Sequence, residues 1–318
     1  MGDLLSNSRL TSCCSRGKEY LLSLFYKPLL VLSLSLTVQS SIKYVLTQGD
    51  SLLIATLASL EDQGAYALSS NYGGLIARML FQPIEEASRN LFAKLCTTSE
   101  TTTQQTNDKT TKDEKPKPPT QSIKDASSTL QTILHFYSLI SLLAFSLGPS
   151  VAPLLLSIVA GKTWTATGAG DVLGAYTYYI PLLAINGVTE AFVAAVATNA
   201  ELYAQSIWMG FFFAGFAGSA YLFLRVLEMG AKGLVWANCV NMGLRIVFNV
   251  SFVRGFFGRN AVDFDLLGAL PLAGSIGVAS LVPFVINSAK GMADGLGYGV
   301  FGELARLGSI GAVLVGAM

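Results

Sequence analysis

The sequence predicts an all-α polytopic membrane protein with about eight transmembrane helices. Of its 318 residues, 52% are hydrophobic and only 13% charged, and the mean hydropathy is +0.51. A soluble domain carries roughly a quarter charged residues, so half that share with positive hydropathy points to a lipid solvent. The second observation is segmentation. Eight apolar stretches reach the length of about 20 residues that a helix needs to cross a bilayer. The third is one long polar tract that divides the second stretch from the third.

The spans lie at residues 28–58, 64–95, 126–147, 172–198, 203–226, 231–253, 266–289 and 300–318. The first two exceed one bilayer thickness, so they tilt or run past the interface. Between the third and fourth, APLLLSIVAGKTWT (152–165) is too short to span and ends on Lys162 and Trp164, which reads as an interfacial helix. The tract 97–125, TTSETTTQQTNDKTTKDEKPKPPTQSIKD, has too little apolar surface to offset the entropy of ordering and reads as a disordered cytosolic loop. Residues 1–27 form a polar, basic N-terminal segment without the apolar core of a secretory signal. Met1 to Ser6 fits the loose myristoylation pattern, with Cys13 and Cys14 as palmitate sites, an anchor that a polytopic protein does not need.

Charge sets the orientation. Arg9, Arg16, Lys18 and Lys27 precede the first span. Arg89, Lys94, Lys109, Lys112, Lys115, Lys117 and Lys124 surround the polar tract, and Arg254 and Arg259 follow the sixth span. With alternating spans all fall on one side, against Lys162, Lys232 and Lys290 on the other, apart from Arg225 near a helix end. The positive-inside rule makes the rich side cytosolic and puts the N-terminus there. The sequon Asn249-Val250-Ser251 then sits at a cytosolic helix end and is expected to carry no glycan.

Polar residues inside spans carry the functional information, because each ion at a bilayer centre costs on the order of 3 kcal/mol on insertion scales. In the second span, Arg78, Gln82, Glu85 and Arg89 follow at intervals of four, three and four and form one stripe. Asn71 lies seven before Arg78 on the same face, and Glu86 flanks the stripe. Pro83 removes a backbone bond, frees the carbonyl one turn earlier and predicts a kink in the helix there. Two readings stand side by side. The stripe is an internal ion-pair ladder, Glu85 with Arg89 and Arg78 with a carboxylate elsewhere, or its arginines meet an anionic headgroup, for which a guanidinium offers a two-pronged fork.

The first span carries Lys43 and Asp50, seven apart on one face, readable as a snorkelling lysine and a helix cap or as part of a binding site. In the fourth, Pro181 and the run Asn186, Gly187, Thr189 and Glu190 interrupt apolar sequence, with Asn186 and Glu190 one turn apart. In the sixth, Asn238, Asn241, Arg245 and Asn249 form another stripe, suited equally to helix packing and to a sugar or diphosphate. Ala269, Ala273 and Gly277 suggest a close-packing face in the seventh span, and Glu303 with Arg306 a local pair in the eighth. Lys43, Asp50, Asn71, Arg78, Gln82, Glu85, Glu86, Arg89, Asn186, Glu190, Asn241 and Arg245 are therefore the candidate substrate-binding residues.

Several classes are not suggested. A net charge of +1 supplies no basic stripe for a nucleic acid. Cys13, Cys14, Cys96 and Cys239 lack zinc-ligand spacing, and His135, the single histidine, has no metal-binding companion. No phosphate-cradling glycine loop and no nucleophile–base set is present, so neither catalysis nor a cofactor is expected.

The run GDSLLIATLASLEDQGAYALSSNYGGLIARMLFQPIEEASRNLF resembles the Rft family of oligosaccharide-lipid translocation proteins of the endoplasmic reticulum. GPSVAPLLLSIVAGKTW, YIPLLAINGVTEAF and GLVWANCVNMGLRIVFN agree with it. The resemblance covers nearly the whole chain outside the first twenty or so residues and the polar tract. It implies membership of the multidrug/oligosaccharidyl-lipid/polysaccharide flippase superfamily, with about fourteen spans in two pseudo-symmetric bundles around a cavity. The eight spans match the second bundle and the terminal pair. The chain is then either a C-terminal part of a longer protein or a genuine half. A lone bundle would expose its polar faces to lipid, which favours the former.

The resemblance further implies a role in moving, or supporting the movement of, the five-mannose, two-N-acetylglucosamine dolichol-diphosphate oligosaccharide from the cytosolic to the lumenal side of the endoplasmic reticulum for N-linked glycosylation. The partners would be that lipid and the bilayer. Two rivals remain: a cation-coupled small-molecule exporter using Glu190, Asp50 or Glu85, and a membrane scaffold that engages other glycosylation-pathway proteins through the polar tract.

Overall fold

The structure is a computed structural model that describes residues 20–21, 25–26, 29–30, 33–34, 37, 41, 53–101, 119–159, 168–269, 271, 273–293 and 300–316. The chain divides into two units, Met1–Ser51 and Leu52–Met318. In the first, β1 (Tyr20–Leu21) and β2 (Phe25–Tyr26) pair antiparallel, with Tyr20 opposite Tyr26. Most of the expected first span, including Lys43 and Asp50, lies outside the described residues, as do Met1 to Ser6, Cys13 and Cys14.

The second unit is helical throughout its described elements: α1 (Leu60–Ile76), α2 (Gln82–Thr101), α3 (Pro119–Val159), α4 (Ala169–Val196), α5 (Asn199–Tyr221), α6 (Ala231–Arg259), α7 (Ala273–Ala293) and α8 (Val300–Gly316). The protein is an all-α polytopic membrane protein. Among the described residues, three helices are long and apolar enough to cross a bilayer: Thr120–Val159, Ala169–Val196 and Ala200–Val226. The α1–α2 pair and α6 fall in expected spans but carry the charged residues that lower their hydropathy.

Four details differ from the expectations. Pro83 sits just after a five-residue π turn, Ala77–Phe81, that joins α1 to α2. The missing Pro83 N–H leaves the α ladder open there, and the break takes the form of a widened turn. Residues 152–159, expected in a separate interfacial helix, are the last turns of α3, which runs through Pro149 and Pro153. A proline is tolerated inside a membrane helix where neighbouring groups re-satisfy the backbone. The helices α2 and α3 also extend into the polar tract, to Thr101 and from Pro119. The Ala269–Ala273–Gly277 face is not continuous. Leu267–Ala269 is a 3₁₀ turn, Pro271 follows it, and Gly277 faces open space. The Glu303 side chain lies outside the described residues.

The central helix is α4, which packs against α1, α2, α3 and α6. Its apolar residues recur at helical intervals and fill the core, with Val188 and Phe192 fully buried. Phe192 meets Phe92 of α2 at 5.1 Å and Phe257 of α6 at 5.2 Å between ring centroids. The α3–α4 contact is close because two glycines lie in it. A Cβ on Gly148 would stand 2.6 Å from the Thr177 side chain, and one on Gly174 3.3 Å from the Pro149 carbonyl oxygen. The helices α7 and α8 pack on α3 through a smaller cluster around Val282, Ile286 and Leu307.

Polar contacts fix the helix ends. Ser59 caps α1 by accepting the Asp62 N–H at 3.1 Å, and its hydroxyl donates to Asp62 Oδ2 at 2.6 Å. The other oxygen, Oδ1, accepts the first N–H of α6, from Ala231, at 2.8 Å. Gln63 donates to the carbonyls of Ala55 and Ala58. Lys232 at the start of α6 pairs with Asp171 at the start of α4 at 3.0 Å. At the opposite end, Arg259 of α6 pairs with Glu201 of α5 at 3.0 Å, and Thr198 and Glu201 form a capping box. So α1, α4 and α6 begin on one side, and α5 begins where α6 ends, the alternation expected of successive spans.

Candidate functional site

The polar residues of α4 and α6 meet in one network. Arg245 Nη2 donates to Glu190 Oε2 at 3.0 Å and to Oε1 at 3.2 Å. Asn186 Nδ2 donates to Glu190 Oε2 at 3.0 Å, and Asn249 Nδ2 donates to Asn186 Oδ1 at 3.2 Å. Spacing explains the convergence. Asn186 and Glu190 are one α4 turn apart, and Arg245 and Asn249 one α6 turn apart, so two rungs face each other. Asn186 and Asn249 are buried, and the Arg245 and Glu190 side chains are 22% and 31% exposed. Asn238 donates to the Tyr66 hydroxyl of α1 at 2.9 Å, whereas Asn241 is half-buried on the same helix. Burial alone keeps Asn249 from serving as a glycan acceptor.

The α2 stripe divides. Phe81, Ser88 and Phe92 form the buried face of this segment. Glu85, one position round the helix, is half-buried and lies with its carboxylate over Gly187 of α4, where any Cβ would overlap it. That places Glu85 within electrostatic reach of Glu190 and of the Tyr137 hydroxyl of α3. Tyr137 is fully buried, its ring edge-on to Phe81 at 5.2 Å, and its hydroxyl has no hydrogen-bond partner among the described residues. Glu85 therefore sits near a second carboxylate and near a buried hydroxyl without a partner among the described residues, a polar environment within the helix packing.

Asn71, Arg78, Gln82, Glu86 and Arg89 face outward and are exposed. Arg78 Nη2 donates to the Asn71 carbonyl at 3.3 Å, and Gln82 Nε2 to Glu86 Oε1 at 3.3 Å. The alternative of an ion-pair ladder is not met. Among the described residues no ion pair joins Glu85 to Arg89, or Arg78 to a carboxylate. Two cations, two amides and the Glu86 carboxylate thus form an open face, while Glu85 turns inward to α4.

Sequence reasoning missed Tyr137 and the seat that Gly187 makes for Glu85. A glycine between Asn186 and Glu190 was the available sign of a close approach from a neighbouring helix.

The model of the family described as Rft protein matches residues 5–312. The chain belongs to the Rft family. This Rft chain is 33% identical to the "Man(5)GlcNAc(2)-PP-dolichol translocation protein RFT1" of Yarrowia lipolytica over 274 residues, which cover 84% of the chain and 38% of the relative. It is 34% identical to the protein of the same name from Saccharomyces cerevisiae, over 69% of the chain and 35% of the relative. With that of Xenopus tropicalis the identity is 30%, over 87% of the chain and 50% of the relative. The Rft chain therefore spans half or less of the length of these relatives. No solved structure matches it.

Proposed function

We propose that this Rft chain takes part in translocating a dolichol-diphosphate-linked oligosaccharide of five mannoses and two N-acetylglucosamines, as its relatives' names say of them, and that it does so across the endoplasmic reticulum membrane. The observation that carries the reading is the open face that runs along α1, the π turn and α2. Arg78 and Arg89 supply charge for a diphosphate, and Asn71 and Gln82 supply amides for sugar hydroxyls. No bond of the substrate changes, so the work is binding and release, not catalysis. The N-terminus is cytosolic in this reading. Behind the face, the Asn186–Glu190–Arg245–Asn249 network joins α4 to α6, and α2 packs on α4 through Phe92 and Phe192.

The test is leaflet exchange of the oligosaccharide lipid in vesicles reconstituted with the chain, beside an Arg78→Ala variant of equal abundance. Exchange that requires both protein and Arg78 supports the reading. Exchange unaffected by Arg78→Ala removes the headgroup site from this face, and no exchange removes transport by this chain.

A second reading, cation-coupled export of small molecules, is favoured by one observation: Glu85 is a membrane carboxylate with no ion-pair partner among the described residues. Sodium- or proton-dependent efflux that is lost in Glu85→Gln would establish it.

A further inference from the structure

An open groove of about 500 Å³ runs between α1, α3 and α4. Its wall includes Tyr72, Leu143, Ala144, Leu147, Leu155 and Ile180, and only Tyr72 and Thr177 among its lining side chains carry a polar atom. The Thr177 hydroxyl donates to the Gly174 carbonyl at 2.6 Å, so it presents no free donor to the groove. The volume falls in the range of ligand pockets, about 300–1,000 Å³. An apolar surface of this kind holds no water well and is complemented by hydrocarbon.

Charge at one end makes the groove more than a lipid-facing surface. Tyr72 follows Asn71, whose carbonyl accepts from Arg78 Nη2 at 3.3 Å. The remaining guanidinium N–H groups of Arg78 carry no hydrogen bond among the described residues. Tyr176, within electrostatic reach of Arg78, has its ring against Gly73, another lining residue. A cation with donors to spare therefore stands where the apolar channel reaches α1. That combination fits an amphiphile with an anion at the head and a long hydrocarbon behind it.

We infer that the α1–α3–α4 groove holds the polyisoprenoid chain of a diphosphate-linked lipid whose diphosphate meets Arg78. The inference rests on the proposed function for the identity of the headgroup, but the groove itself is a separate site. A bilayer phospholipid could fill the same channel, and the test separates the two.

The probe is a polyprenyl diphosphate with a photoactivatable diazirine on its terminal isoprene unit, added to the full chain in phosphatidylcholine nanodiscs. The expected label falls on peptides containing residues 140–155 and is competed by unlabelled polyprenyl diphosphate. Ala144→Trp, which fills the groove, lowers labelling by at least about tenfold, the scale on which apolar pockets reject misfitting groups. Leu155→Trp, at an exposed rim position, does the same without a demand on the core. Arg78→Ala weakens labelling and also abolishes competition by inorganic diphosphate, whereas the tryptophan variants leave that competition intact. Label outside the groove, or labelling unchanged in both tryptophan variants, overturns the inference while leaving Arg78 as a headgroup site. Labelling by a phosphatidylcholine photoprobe that polyprenyl diphosphate does not displace also overturns it. Groove labelling in a chain that shows no leaflet exchange supports the groove and leaves the translocation reading to fail alone.

Discussion

Arg245 reaches both oxygens of Glu190 through one nitrogen, Nη2, at 3.0 and 3.2 Å. The guanidinium is thus not locked into a two-pronged fork, and its other nitrogens can turn to a further acceptor. This pair holds α4 to α6 at mid-helix, and Asn186 and Asn249 brace it from one side.

Glu190→Gln and Arg245→Met are each expected to destabilise the protein by about 2 kcal/mol. That lies between the value for exposed pairs and the about 3–5 kcal/mol for breaking a fully buried one. The double variant is expected to be less destabilised than the sum, because neither charge is left unpaired. Thermal unfolding of the four proteins in one detergent gives the coupling. Simple additivity would show that the two groups do not interact.

Two glycines make a contrasting pair. Gly148→Ala drives a methyl against Thr177, a β-branched side chain with little freedom, and should cost about 1–3 kcal/mol in the melting assay. Gly187→Ala meets only the end of the Glu85 side chain, which can swing away. Its cost should stay below about 1 kcal/mol, yet it displaces Glu85 and should lower leaflet exchange. Equal losses of stability in the two variants would contradict this account of where the freedom lies.

Asp62→Ala removes the acceptor for Ser59 and for the Ala231 N–H together. Loss of such caps is worth about 0.5–2 kcal/mol. Asp62→Asn keeps an acceptor oxygen and should recover most of the lost melting temperature. If Asn behaved like Ala, the charge and not the hydrogen bonds would be what matters.

Arg78→Lys tests the form of the cation. A lysine keeps the charge but not the fork, so exchange is expected to fall between wild type and Arg78→Ala. Full activity of the lysine variant would reduce the role of Arg78 to a point charge. Because Arg78 is exposed with one backbone partner, all three proteins should melt alike.

Much of this was legible in the sequence. Apolar runs placed α4 and α5 within a few residues, because lipid demands a long uninterrupted helix, whereas α3 runs well past both ends of its expected span and α6 past one. The stripes on α4 and α6 followed from spacing alone. What spacing could not say was which neighbour each stripe would face. Glu85 shares a stripe with Arg78 and Arg89, yet Gly187 draws it inward, a fact about two helices far apart in sequence. Tyr137 gave no signal at all, since an aromatic in an apolar run reads as core. The 152–159 segment was misplaced because prolines that end a helix in water are tolerated within lipid when neighbours re-satisfy the backbone.

The bond between Asp62 and the first N–H of α6 pins α1 and α6 together at their starting ends. Asn238 of α6 donates to the Tyr66 hydroxyl of α1 further along, so a relative motion that preserves both bonds keeps the starting ends together and makes α6 a lever. Its 29 residues span about 43 Å at 1.5 Å each, so a swing of about 10° carries the far end roughly 7 Å. A hinge held by these two hydrogen bonds would then turn a small change in angle into a gap as wide as a sugar ring on the opposite side of the membrane.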